Sequence, residues 1–393
     1  MRVLILTQLF PTSLEPAFAT FNRRQFTALS RLCDLELLAT VPWFPGAKHF
    51  GRWSRAGRTA GVPAFETIDG LAVAHPRVLY IPRVGHRLSG HLYAVSVLPS
   101  LAGRRRADVI LGSFAYPDGF AAVQLGRLLR VPVVVKVHGT DINVLAGLPS
   151  MRSNLHWTLE RANAVVATSG ALADAAVQAG ARMSRTSLVT NGLDTRAFRP
   201  RDRNECRRAL GVSDGRKWIL YVGNLKRAKG VFDLLSAFET LGKSRSDACL
   251  KLVGDGEDRR ECEAAATAAG LDAAFMGVRE HDEIGFWMGA CDVLCLPSWA
   301  EGTPNVVMEA LASDRPVVAT NVGGIPALMC SPELGDLVPP RQPARLAAAL
   351  AKALDERREE GRIAGRVSFR SWDRSARSLH DVLARAAAEG WRP

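Results

Sequence analysis

The stretch LPSWAEGTPNVVMEALASDRPVVATNVGG, residues 296–324, decides the fold class. It closes an apolar run, Val293-Leu294-Cys295-Leu296, that reads as a buried strand. Pro297 and Ser298 stop that strand, and residues 299–302 form a loop. Thr303 suits an N-cap and Pro304 the first helical position, with Val306, Val307, Ala310 and Leu311 as the apolar stripe. A second buried strand over 316–320 runs into the glycine pair Gly323-Gly324. Together these make a βαβ unit whose loop lies at the carboxyl edge of a sheet, where α/β folds bind ligands. Two carboxylates frame the helix start, Glu301 in the loop and Glu309 nearly two turns along. Backbone N–H groups over 303–306, backed by the helix dipole, favour an anion in front of them. A ligand with both hydroxyls and phosphate, such as a sugar nucleotide, fits two acids beside an anion-attracting helix end.

Working outward, 393 residues are long for one core and comfortable for two domains. No apolar run approaches the roughly 18 residues that span a bilayer. The start, Met1-Arg2-Val3-Leu4-Ile5-Leu6-Thr7, lacks a long apolar core and a cleavage site, so it reads as a first buried strand. A cytoplasmic protein is expected, with peripheral contact at the inner face of the cell membrane as an option. The seven cysteines are scattered without a CxxC pair, and Cys291 and Cys295 read as core thiols on one strand face. The eight histidines show no HxxxH or HExxH spacing, so no metal site is expected.

The net charge of +12 is unevenly placed. Residues 1–194 hold 21 Lys and Arg against 11 Asp and Glu, leaving 30 against 28 for the remainder. A basic first half suits an anionic lipid or acceptor. No nucleic-acid motif accompanies it, and a genome rich in G and C, using Arg liberally, explains it equally well.

Strands alternate with helices along the chain, which predicts doubly wound parallel sheets. The first turn, residues 8–16, contains no glycine, which argues against a dinucleotide fingerprint. Residues 42–63 read as an irregular loop. A helix is predicted over 85–101, with Arg83, His86, Arg87 and His91 near its start and Leu88, Leu92, Val95 and Leu98 as its stripe. That segment is either a core-packing helix or an amphipathic surface for a membrane face. The rhythm breaks near Asn191-Gly192-Leu193-Asp194. The expected division is a first Rossmann-like domain over 1–195, completed by a returning helix over 368–393 that uses Phe369, Trp372 and Leu379. A second Rossmann-like domain covers 196–367.

Three further strand ends carry ligand-type residues. In Val222-Gly223-Asn224-Leu225-Lys226-Arg227-Ala228-Lys229-Gly230 a glycine ends a strand and three cations precede a helix. In Val253-Gly254-Asp255-Gly256-Glu257 two glycines bracket an acid. His138-Gly139-Thr140-Asp141 supplies a histidine at a strand's carboxyl end, where a structural role is the commoner one. If the two domains face each other edge to edge, these loops line one cleft.

The ordered set Glu301-x7-Glu309 within EGTPNVVMEA, the following GG, GNLKRAKG, VGDG, and NGLD at the junction resembles the family 4 glycosyltransferases, retaining enzymes of the GT-B fold. The similarity spans essentially the whole chain and is strongest over 218–326. It implies a nucleotide-sugar donor, UDP- or GDP-linked, held by the second domain, and a saccharide or lipid-linked saccharide acceptor held by the first. By that likeness Glu309 binds ribose hydroxyls, Glu301 binds hydroxyls of the transferred sugar, and the backbone from Gly302 through Thr303 and Pro304 to Asn305 contacts sugar and phosphate. Gly223, Asn224, Gly254, Asp255 and Gly256 complete the donor site. Lys229 neutralises the diphosphate without a metal or other cofactor, and His138 lies near the reacting sugar. Some positions depart from the family pattern. Asn224 stands where an Arg is frequent, with Lys226 or Arg227 as possible substitutes. Ala17-Phe18-Ala19 replaces a glycine-bearing turn, Asp314 a glycine, and Ala327 an acid.

The expected activity is transfer of a hexosyl-type sugar in envelope or exopolysaccharide assembly. A glycosidase pair, a sugar-nucleotide epimerase and a non-enzymatic sugar-binding protein are the alternatives. A glycosidase turns over a plain oligosaccharide, an epimerase forms product without acceptor, and a binding protein takes free sugar without releasing nucleotide.

Overall fold

The computed structural model describes residues 1–80, 87–143, 148–212, 215–356, 359 and 361–392. The chain divides into two compact units, Met1–Gly192 with Trp372–Pro393, and Leu193–Ser371. The limits expected from the sequence are 195 and 368.

Among the described residues, unit 1 holds ten strands: β1 (Arg2–Thr7), β2 (Asp34–Ala39), β3 (Val41–Trp43), β4 (Phe65–Ile68), β5 (Leu71–Ala74), β6 (Arg77–Leu79), β7 (Val109–Ser113), β8 (Val133–Lys136), β9 (Ala164–Ala167) and β10 (Thr186–Leu188). Eight of them form one sheet in the order β10-β9-β8-β7-β1-β2-β5-β4, while β3 and β6 pair separately. The main sheet is parallel except where β4 runs against β5. The reason is legible in β1: Val3 and Ile5 pack into one core layer, Leu4 and Leu6 into the other. A strand buried on both faces needs helices on both sides, which is what parallel crossovers supply. The longer helices are α1 (Thr20–Leu29), α2 (Ser89–Leu101), α3 (Phe120–Leu129), α4 (Pro149–Arg161) and α5 (Gly170–Gln178). The C-terminal helix Trp372–Glu389 packs Ala376, Leu379, Val382 and Leu383 against Phe26 and Leu29 of α1. Phe369 lies before that helix and packs into the core of unit 2, so it is not part of the returning face.

Among the described residues, unit 2 contains six strands, β11 (Lys217–Val222), β12 (Ala248–Val253), β13 (Ala273–Gly277), β14 (Val293–Leu296), β15 (Val317–Thr320) and β16 (Gly335–Val338). All are parallel, in the order β13-β12-β11-β14-β15-β16. Its helices of eight residues or more, among the described residues, are α6 (Val231–Gly242), α7 (Arg259–Ala268), α8 (His281–Ala290), α9 (Asn305–Ala312) and α10 (Pro343–Asp355). On β11, Trp218 and Leu220 enter one core layer and Ile219 and Tyr221 the other. Chain order reverses between β11 and β14, the point where such sheets open a ligand crevice at their carboxyl ends.

Several expectations need correction. Residues 42–63 are not wholly irregular: β3, a 3-10 segment Ala47–Trp53 and a helical turn Arg55–Arg58 occupy them. The predicted helix over 85–101 begins at Ser89 among the described residues, and Arg83, Gly85 and His86 lie outside them. Its stripe is turned the other way: Gly90, Tyr93, Ala94 and Val97 face the core, while Leu88, Val95 and Leu98 are exposed. Cys291 ends α8 and packs in one core layer, whereas Cys295 on β14 packs in the other. All seven cysteines are free. Among the described residues, no helix is long and apolar enough to cross a membrane.

Candidate active site

The carboxyl edge of the unit 2 sheet is built from four loops that bind one another. After β11, Gly223 N donates to Val253 O at 3.0 Å and Leu225 N to Asp255 O at 2.9 Å, tying the first loop to the one after β12. Gly254 has φ +133, and a Cβ there would stand 1.9 Å from Gly223 O, so only glycine allows this approach. Gly256 fits as tightly, against Leu225 O and the Asn224 side chain. Asp255 accepts from Gly256 N at 2.8 Å, and Tyr221 Oη donates to Asn224 O at 2.8 Å.

The same loop then meets the one after β14. Gly230, at φ +70, lies so close to Pro297 that a Cβ would sit 2.0 Å from its carbonyl oxygen. Trp299 N donates to Ala228 O at 3.0 Å, and Trp299 Nε1 to Asp233 Oδ2 at 2.7 Å, with Arg341 stacked 4.2 Å over the indole. This frame brings Lys229 Nζ to Glu301 Oε1 at 2.7 Å. The loop after β15 closes the set: Gly324 N donates to Gly302 O at 2.7 Å, and Gly323, at φ +55, abuts Glu301 O.

The helix between these loops begins one residue later than expected. Pro304 is the N-cap, with extended backbone at ψ 116 and no side-chain cap, and Asn305 is the first helical residue. Thr303 precedes a proline and is biased toward extended backbone, which moves the start forward. Pro304 carries no N–H, so the expected run of donors over 303–306 is interrupted. Asn305 and Glu309 are four residues apart on α9 and share a face, both half-buried.

The two candidate substitutes for the missing arginine are engaged elsewhere. Lys226 Nζ pairs with Glu257 at 3.1 Å. Arg227 pairs with Glu261, covers the Phe232 ring at 4.0 Å, and its backbone N donates to Asp258 at 2.6 Å. Asp314, in place of a glycine, does adopt a left-handed φ of +62. Its carboxylate accepts from Gly361 N at 2.7 Å, Ile363 N at 2.9 Å and Ala364 N at 3.0 Å, which offsets the backbone strain. Ala327 lies in a short helix, Ile325–Leu328.

In unit 1, His138 follows β8, with Nε2 2.9 Å from Ser113 Oγ and its ring 5.1 Å from that of Phe21. Asp141 fixes the turn by accepting from the backbone N of Ala115, His138 and Gly139. Behind the histidine, Lys136 is fully buried and donates to Gln25 Oε1 at 2.5 Å and Asn22 Oδ1 at 3.3 Å. Burial pushes the Lys136 ammonium down to about 7. Burial, and then the Lys136 charge, hold His138 well below the usual imidazole range, which favours its neutral form. Lys136, Ser113 and Asn22 were not singled out in the sequence, although a lysine inside the apolar run Val133-Val134-Val135-Lys136-Val137 is itself a signal. Among the described residues no group of three His, Cys, Asp or Glu is placed to hold a metal ion.

Two family models match in tandem. "Glycosyltransferase Family 4" covers residues 55–197 and "Glycosyl transferases group 1" covers 202–366. The chain belongs to glycosyltransferase family 4. It is a glycosyltransferase, and these matches do not favour the epimerase or binding-protein readings. The enzyme is 28% identical over 337 residues to the putative teichuronic acid biosynthesis glycosyltransferase TuaC of Bacillus subtilis, covering 84% of this chain and 83% of that one. It is 31% identical to a D-inositol 3-phosphate glycosyltransferase of Pseudarthrobacter chlorophenolicus over 56% of each chain. Among solved structures, sucrose-phosphate synthase from Thermosynechococcus elongatus superposes with a TM-score of 0.72 at 20% identity, covering 99% and 96% of the two chains. Anabaena HepE in complex with UDP-glucose gives 0.67 at 21%, covering 99% of each. The fold is therefore GT-B, an α/β architecture of two Rossmann-like units.

Proposed function

We propose that the enzyme transfers a hexosyl-type sugar, with retention of configuration, from a UDP- or GDP-sugar held by unit 2 to a saccharide or lipid-linked saccharide held by unit 1. The work is assigned to the cytoplasm, in envelope or exopolysaccharide assembly. The observation that carries this reading is the Lys229–Glu301 pair at the reversal of strand order, directly before α9. The Lys229 side chain is one-third exposed and that of Glu301 nearly buried, so an arriving diphosphate reaches the ammonium from the open side and competes with the carboxylate for it. Lys229 then neutralises the leaving group together with the α9 dipole, and Glu301 turns to sugar hydroxyls. Glu309, on the same helix face as Asn305, takes the ribose. Gly223, Asn224, Gly254, Asp255 and Gly256 bring backbone close to the nucleotide, and His138 serves the reacting sugar.

This assignment needs no metal, because Lys229 and the helix end supply the charge that a cation supplies elsewhere. The HepE complex with UDP-glucose and the name of TuaC support a nucleotide-sugar donor and an envelope polymer. Thermal unfolding with UDP, GDP and ADP tests it: the cognate diphosphate at 100 Kd adds about 2.7 kcal/mol, with or without a chelator. No stabilisation by any of the three would contradict the reading.

A further inference from the structure

We propose that Lys136, Asn22 and Ser113 form a hydrogen-bond relay that sets the tautomer of His138, leaving its ring proton on Nδ1. Every member lies in unit 1. The relay deepens the assignment of His138 to the reacting sugar, and only its consequence for turnover rests on that assignment. Lys136 is a positioning residue: it acts through Asn22, Ser113 and His138, not by contact with substrate.

The direction of each hydrogen bond follows from groups that can play one role only. The Leu9 carbonyl can only accept, so the Asn22 atom 2.8 Å from it is Nδ2, and Oδ1 faces Lys136 Nζ at 3.3 Å. At the other end, Ser375 Oγ donates to the Thr190 carbonyl at 2.7 Å and therefore accepts from Gln25 Nε2 at 2.8 Å. Gln25 Oε1 is thereby aimed at Lys136 Nζ, 2.5 Å away. An ammonium has three donors and no acceptor, so Lys136 holds both amides in these orientations. Asn22, Gln25, Ser113, Lys136 and Ser375 are completely buried, and bulk solvent does not compete for their bonds.

With Asn22 so held, its second Nδ2 hydrogen points to Ser113 Oγ at 3.1 Å. Ser113 then has one proton to give and two acceptors within reach, His138 Nε2 at 2.9 Å and Asn22 Oδ1 at 3.4 Å. The imidazole is the nearer, and Oδ1 is already engaged by Lys136. A hydroxyl that donates to Nε2 needs that nitrogen bare. The neutral ring that burial favours has one proton, which then sits on Nδ1. His138 therefore offers a donor, not an acceptor, at its other nitrogen. Without Lys136, Oδ1 would draw the serine proton, and His138 would donate from Nε2 and present a bare Nδ1. An apolar side chain would fill the place of Lys136 among the valines at less cost of burial, but only a donor fixes the Asn22 amide.

Nitrogen–proton correlation spectra of the full chain, labelled in its eight histidine rings, test the proposal. They are recorded at about pH 8, where an imidazole of ordinary pKa, about 6.5, is neutral. The His138 ring is identified by its loss in His138→Asn. The expected wild-type ring carries its proton on Nδ1 and leaves Nε2 bare. Ser113→Ala and Lys136→Met should each move it toward the Nε2–H form that an unconstrained imidazole favours. Ser113→Ala removes only a hydroxyl, so it keeps the test valid if Lys136→Met disturbs folding. Turnover of Ser113→Ala should fall roughly tenfold or more, the direction expected for a wrong tautomer, with unchanged stabilisation by the nucleoside diphosphate that binds wild type. A wild-type ring protonated on Nε2, or an unchanged tautomer in either folded variant, overturns the proposal. A shifted tautomer with wild-type turnover supports the relay and contradicts instead the placement of His138 at the reacting sugar.

Discussion

Lys229 and Glu301 meet at 2.7 Å although 72 residues separate them, and the loops that carry them follow β11 and β14, the two strands between which chain order reverses. The pair is held by close backbone packing on both sides, through Gly230 against Pro297 and Gly323 against Glu301. A cation and a carboxylate are thus fixed beside the start of α9 by loops that have little freedom to move apart. Such pre-set charge is most effective where charge develops during reaction.

The packing of Gly230 gives the first prediction. A Cβ at that position would meet Pro297 O at 2.0 Å with φ at +70. Gly230→Ala is expected to cost about 1–3 kcal/mol in denaturant unfolding and to reduce turnover by displacing Lys229. Near wild-type stability would show that the two loops are not locked together.

Asp314 separates two effects. Asp314→Gly removes the strain of φ +62 but also the acceptor for three backbone N–H groups, whereas Asp314→Ala removes only the acceptor. Both should be destabilised, Ala by about 2–3 kcal/mol and Gly by about 1 kcal/mol less, while Asp314→Asn, which keeps an oxygen for Ile363 N and Ala364 N but turns its NH2 toward Gly361 N, falls between wild type and Ala. A glycine variant more stable than wild type would mean that the backbone strain outweighs the hydrogen bonds.

Lys136 makes stability depend on pH. Its ammonium titrates near 7 when folded, against an ordinary value of 10.5. Between those two values the unfolded chain holds the proton and the folded chain does not, so this residue makes the protein more stable as pH rises through that window. Below about pH 7 the full penalty of burying the charge applies. Lys136→Met lacks this dependence, so its stability relative to wild type should fall by about 1.4 kcal/mol per pH unit from pH 7 toward pH 10. Parallel unfolding curves for the two proteins across that range would rule out the buried cation.

The parallel sheets were legible in the sequence because strands buried on both faces appear as unbroken apolar runs, as in Val293-Leu294-Cys295-Leu296. The loops of unit 2 were legible because close backbone approach demands glycine, at Gly254, Gly256 and Gly230 alike. Helix α2 was misread for a physical reason. Its buried face, Tyr93, Ala94 and Val97, is no more apolar than Leu88, Val95 and Leu98, so periodicity could not tell which side meets the core. The start of α9 slipped because Pro304 serves as an extended cap and not as the first helical residue. The network around Lys136 joins residues more than one hundred positions apart, a pairing that no local pattern reveals.

The central claim is that Lys229 and Glu309 hold a nucleotide-sugar donor at the carboxyl edge of unit 2. It is tested most directly by nucleotide release with the UDP- or GDP-sugar whose diphosphate stabilises the enzyme. Lys229→Ala and Glu309→Ala are each expected to lower turnover by at least about 100-fold, the usual cost of one transition-state contact, in protein that melts as wild type does. Near-normal release by both folded variants would contradict the assignment.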